Sequence, residues 1–129
     1  LRAAMEAALG LTGREGAELS LVFLRDDAMR PLNRDWRGKV KTTDVLSFPQ
    51  PETGGARALG DIVVSVDAAD RQARERGHGL DAEFLRLLVH GYLHLLGYDH
   101  ERGPEEARLM RREERRLLRE IRWQGPRTP

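Results

Sequence analysis

At 129 residues the chain has the length of one domain that can bury a core without disulfides or a structural metal, so a bound metal would serve chemistry rather than folding. The absence of cysteine excludes a thiolate zinc knuckle, a dithiol redox pair and a disulfide framework, and fits a reducing cytoplasm. A net charge of +1 gives the whole molecule no pull on a polyanion, no apolar run reaches the roughly 20 residues of a membrane span, and the start lacks the block of a secretory signal.

Leu1, Met5, Ala8 and Leu9 recur at helical spacing before glycines at 10, 13 and 16 break the pattern, which predicts a short amphipathic helix. Residues 18–24 alternate and then become continuously apolar, as a largely buried strand does. Asp26 is expected to cap a second helix in which Met29 and Leu32 face inward and Trp36 closes the apolar stripe. Pro31 marks its first turn or a kink.

Residues 37–44 form a polar turn, suspect as a functional loop, that feeds a strand over 45–48 stopped by Pro49. The stretch 50–58 has two glycines, a proline and no periodicity, and is expected to be a mobile loop. A third strand, 62–66, is rich in β-branched residues, and Asp67 is expected to cap a helix over 68–76 ended by Gly77. A long helix over 81–96 is apolar around most of its circumference, hence buried. Pro104 opens a last helix with Met110, Leu117, Leu118 and Ile121 facing inward. Its run Arg111 to Arg116 alternates in sign and reads as a solvated face.

These elements predict a single α+β domain over 1–129, with a small mixed sheet of three visible strands and about five helices. Because helices separate the strands, part of the sheet should be parallel. The first residue is leucine, so a trimmed start and a missing fourth, N-terminal strand are allowed for.

Three of the four histidines fall within residues 90–100. On a helix, His90 and His94 lie one turn apart on one face, and Gly97 can end the helix and turn the chain so that His100 returns as a third nitrogen ligand. Three neutral imidazoles suit one Zn2+ ion and leave a position for water or substrate. His78, alone, reads as a surface or hydrogen-bonded core residue. The spacing His-x3-His-x2-Gly-x2-His is that of metzincin proteases, which carry a glutamate general base after the first histidine. Here that position is Gly91, which argues against peptide hydrolysis by that route.

The string from His90 to His100 resembles the signature of the YbeY family of bacterial metal-dependent endoribonucleases. Leu32-Asn33, Trp36-Arg37-Gly38-Lys39, Thr43 to Pro49 and Leu59 to Val63 are similar to that family's other blocks, in the same order. Trp36 stands where the family commonly has tyrosine. The resemblance implies an α+β domain with zinc on His90, His94 and His100, cleavage of single-stranded RNA, maturation of 16S ribosomal RNA at its 3′ end and a part in ribosome quality control. It implies small-subunit ribosomal RNA, the ribosome or small-subunit proteins as partners, a cytoplasmic site of action, and Arg37 as the catalytic basic residue near the metal, gripping the scissile phosphate through its guanidinium. Asp99 reads equally as a group orienting a histidine or as a turn cap, and Asp44, Ser47 and Thr43 as residues lining the cleft. Two rivals stay open: a zinc hydrolase acting on peptides or small molecules, and a non-catalytic ribosome-associated zinc module.

Overall fold

A computed structural model describes residues 1–37, 44–50 and 58–123, and for 33–37 and 122–123 the backbone only. Its centre is β3 (Ala58–Ser65). On one side β1 (Glu18–Leu24) runs parallel to it, with Leu21 opposite Ile62; on the other β2 (Val45–Pro49) runs antiparallel, with Ser47 opposite the same Ile62. In the order β1-β3-β2 one pairing is parallel and the other antiparallel, so the sheet is mixed, as expected from the sequence.

Successive side chains of a strand point to opposite faces, and here both faces are covered. Ile62 and Val64 join the main core with Leu87, Leu88 and Tyr92, while Val63 between them packs with Met29 and Leu46 in a smaller core. That two-sided burial is why β3 reads as an unbroken apolar run rather than as alternation. The main core is closed by α1 (Arg2–Leu11), α4 (Leu80–Leu95) and α5 (Pro104–Trp123), the smaller one by α2 (Asp26–Arg37). Tyr92 is fully buried, its hydroxyl 2.6 Å from Thr12 Oγ1, so the polar end of the largest core side chain is satisfied.

The helix caps differ from expectation. Between β3 and α3 (Val66–Arg76) the N-cap is Ser65, whose Oγ accepts from the Ala68 N–H at 3.0 Å. Asp67 instead serves α2, its carboxylate accepting from the Asp26 N–H at 2.9 Å and from Arg25 at 2.8 Å. Asp26 therefore does not cap: its own carboxylate accepts from Ser65 Oγ at 2.7 Å and Arg71 at 3.1 Å. The exchange ties the starts of α2 and α3 together, and it is invisible in sequence because the partners lie about forty residues apart. Gly77 ends α3 in the left-handed conformation, as predicted. Pro31 lies inside α2 rather than in its first turn, at an exposed position where water can take the carbonyl it leaves unpaired.

The charges of α5 do not cancel along its surface. Arg108, Arg111, Arg112, Arg115 and Arg119 are exposed, whereas Glu106, Glu113, Glu114 and Glu120 are half-buried and paired. Alternation along the chain becomes segregation around the helix, because each turn spans 3.6 residues.

Candidate metal centre

The approach of α4 to the sheet sets the site. Gly91 lies over β2 and β3 so closely that a Cβ there would stand 2.8 Å from Ile62 Cγ2 and 3.0 Å from Ser47 Oγ. Ser47, on the face of β2 turned to α4, donates its hydroxyl to the Gly91 carbonyl at 2.8 Å. Glycine at 91 is thus a packing requirement, and it brings His90 and His94 against the end of the sheet.

The helix then stops and turns. The Gly97 N–H bonds to the His94 carbonyl at 3.0 Å and the Tyr98 N–H to the Leu93 carbonyl at 3.1 Å, the paired closure of a Schellman motif, with Gly97 at φ +104°. Asp99 Oδ1 accepts from the Glu101 N–H at 2.9 Å and caps a 3₁₀ turn, His100–Arg102. The turn carries His100 back to α4. One ring nitrogen each of His90, His94 and His100 lies within 4.8 Å of the others, and the ring centroids are 4.9, 5.2 and 5.2 Å apart.

The donors fit a metal. Burial, and then the proximity of His90 and His100, hold the His94 pKa below that of an ordinary histidine, against the opposing pull of Asp99 and the Tyr98 backbone. The neutral imidazole is the form that ligates. His90 Nδ1 is engaged by Glu114 Oε1 at 2.7 Å, leaving Nε2 for the cluster. Among the described residues three nitrogens converge beside an open cleft, a donor set that can hold a metal ion and leave a coordination position open.

The cleft has a volume of about 1290 Å³ and is lined by all three histidines, by β2 and by the chain from Gly97 to Arg102. Asp44 and Ser47, expected there, line it, and so does Asp99. Their contacts define them further. Ser47 is spent on Gly91, and Asp44 is held by Gln72 Nε2 at 3.2 Å. Asp99 makes the turn-cap contact, and that hydrogen bond from Glu101, ahead of Arg102 and the histidines, holds its pKa below the ordinary aspartate value despite the desolvation that opposes it. Arg37 is the last residue of α2, but its side chain, like Thr43 and residues 38–42, lies outside the described residues.

Glu114 was not foreseen. It sits in the charged run of α5, yet Met110, Leu117 and Ile121 are all buried, and position 114 falls on their face by helical spacing. That phase was the available signal. His78, assigned a bland role, bonds to the buried Glu83 at 2.6 Å. Among the described residues no helix is long and apolar enough to cross a membrane.

The family model described as Endoribonuclease YbeY matches residues 1–122. An Endoribonuclease YbeY of Anaeromyxobacter dehalogenans is 54% identical over 120 residues, covering 92% of this chain and 62% of its own length. That of Aquifex aeolicus is 52% identical over 114 residues, covering 88% and 76%. The chain thus spans between about three fifths and three quarters of these two relatives. The solution structure of TM1509 from Thermotoga maritima superposes with a TM-score of 0.66 at 28% identity, over 96% of this chain and 83% of that one.

Proposed function

The chain belongs to the Endoribonuclease YbeY family, and from that premise we propose that it is a single-strand-specific, metal-dependent endoribonuclease. The observation that carries the reading is the convergence of His90, His94 and His100 beside the open cleft. In this reading the three imidazoles hold one Zn2+, and residues 1–129 act as one catalytic domain. Its biological task is maturation of 16S ribosomal RNA at the 3′ end and ribosome quality control, in the cytoplasm, with the ribosome or small-subunit proteins as partners.

A bound zinc ion supplies Lewis acidity toward a phosphoryl oxygen and lowers the pKa of a water at the site. The protein's own residues do the rest. His94 is kept neutral by burial and by its neighbours. Asp99 stiffens the turn that presents His100. Arg37, assigned by the family motif, offers a planar pair of donors to the scissile phosphate and offsets the charge that grows there. The cleft along β2 gives an unpaired strand room to lie beside the histidines.

Peptide hydrolysis is disfavoured by one contact. A metzincin-type glutamate would have to occupy position 91, where even a Cβ meets Ile62 at 2.8 Å. The test is direct. Purified protein is offered single-stranded RNA, double-stranded RNA and casein in parallel, with and without chelator. Cleavage of single-stranded RNA alone, abolished by chelation and by His94→Ala, is the expected result; casein cleavage lost with His94→Ala would replace this reading with a peptidase.

A further inference from the structure

Glu114 reaches across from α5 and places Oε1 2.7 Å from His90 Nδ1. The contact is shielded, with side-chain exposures of 24% for His90 and 17% for Glu114. We propose that Glu114 is a positioning residue for the metal centre: it accepts the Nδ1–H of His90, fixes that tautomer and ring rotation, and so aims Nε2 at the point shared with His94 and His100. This rests on the metal reading above.

Three observations carry it. An imidazole has two nitrogens, and the one bonded to Glu114 cannot also face the cluster, so the contact selects Nε2 as the ligand atom. His90 makes this bond from one helix to another, so α5 holds the ring from outside α4, whose own turn sets only the spacing of His90 and His94. Finally, Glu114 stands apart from the other acidic residues of α5. Glu113 and Glu120 pair with Arg116, and Glu106 with Arg102; Glu114 alone among them meets a histidine. Loss of a carboxylate that orients a ligating histidine typically costs about 10–100-fold in metal affinity.

The experiment measures zinc affinity by competition with a chromophoric chelator, the unfolding midpoint of the metal-free protein, and the His90 tautomer from two-bond 1H–15N couplings of the ring. The native chain, Glu114→Ala and Glu114→Gln are compared. Expected are an Nδ1–H tautomer for His90 in the native chain, its loss in Glu114→Ala, and a 10–100-fold weaker zinc affinity there. Glu114→Gln, whose amide oxygen still accepts from Nδ1–H, should recover most of the affinity. The metal-free midpoints should stay close together, which separates positioning from a merely structural role. Native-like zinc affinity in Glu114→Ala would overturn the proposal alone. A native chain that binds no zinc would overturn the metal reading and this proposal with it.

Discussion

Ser47 Oγ donates to the Gly91 carbonyl at 2.8 Å, one residue from the first histidine of the cluster. This bond fastens α4 to β2 at the point of closest approach, and it makes the glycine and the serine one unit. Their contact explains how a histidine pattern shared with a class of proteases can carry glycine in place of the catalytic glutamate.

Gly91→Ala should therefore destabilise the protein even though alanine is the better helix former. Propensity favours the substitution by about 1 kcal/mol, but a Cβ at 2.8 Å from Ile62 Cγ2 forces an adjustment in a filled core that costs about 1–3 kcal/mol. Urea denaturation should show a net loss, together with weaker zinc binding because His90 moves with the helix. Gly91→Glu should fail to fold normally and should not gain peptidase activity. An Ala variant more stable than the native chain would show that the sheet gives way freely.

Gly97→Ala tests the turn that delivers His100. A Cβ there meets nothing within 4 Å, so space is no obstacle, but φ is +104°. Conformational strain of about 1–2 kcal/mol should appear as lost stability. Zinc affinity should fall by more than the stability loss alone accounts for, since the turn leads directly to the third ligand; unchanged affinity would mean that His100 is positioned by the Asp99 cap alone.

The arrangement of α5 shows what a sequence hides and what it reveals. The histidine spacing was legible because a helix converts a separation of four into adjacency, and the glycine at 97 announced the turn. Glu114 was obscured because the run 111–116 looks like a balanced surface until Met110 and Leu117 fix the phase of the helix. The caps of α2 and α3 were misassigned for a different reason. Ser65, Asp26 and Asp67 are all competent acceptors, and only the tertiary packing decides which oxygen meets which N–H. The mixed sheet followed from connectivity, but the edge position of β2, which lets it line the cleft, depends on pairing that no local pattern encodes.

Glu83 gives the pH dependence of stability. It is fully buried, and burial pushes its pKa up, but hydrogen bonds from Arg86, at 3.0 and 2.5 Å, and from His78, with the charges of Arg86 and Arg76, hold it below the ordinary 4.5. A carboxylate with a depressed folded-state pKa contributes stability that is fully present above its unfolded value and lost as pH falls through the folded one. Thermal unfolding should thus show a Glu83 contribution that is fully present and independent of pH above the ordinary value of 4.5 and declines on further acidification. Glu83→Ala should cost about 3 kcal/mol at neutral pH, because it leaves Arg86 without its buried partner. A variant of native stability at neutral pH would show the network to be neutral.

Metal should stabilise the fold it binds. If the three histidines form one site in the folded chain only, zinc at a hundredfold excess over its Kd should add about 2.7 kcal/mol of stability. His94→Ala should abolish the shift while leaving the metal-free midpoint close to native, since the half-buried His94 lines the open cleft rather than filling the core. An equal shift in the variant would place the metal elsewhere.

The most direct measurement is cleavage of a single-stranded RNA by metal-stripped protein as zinc is returned in fractions of an equivalent. The native chain should gain activity in proportion up to one equivalent and then level off, with His94→Ala inactive throughout and Arg37→Ala binding zinc normally but cleaving at a small fraction of the native rate. Full activity in the stripped protein, or native-like cleavage by a folded His94→Ala variant, would contradict a single three-histidine metal centre as the seat of the reaction.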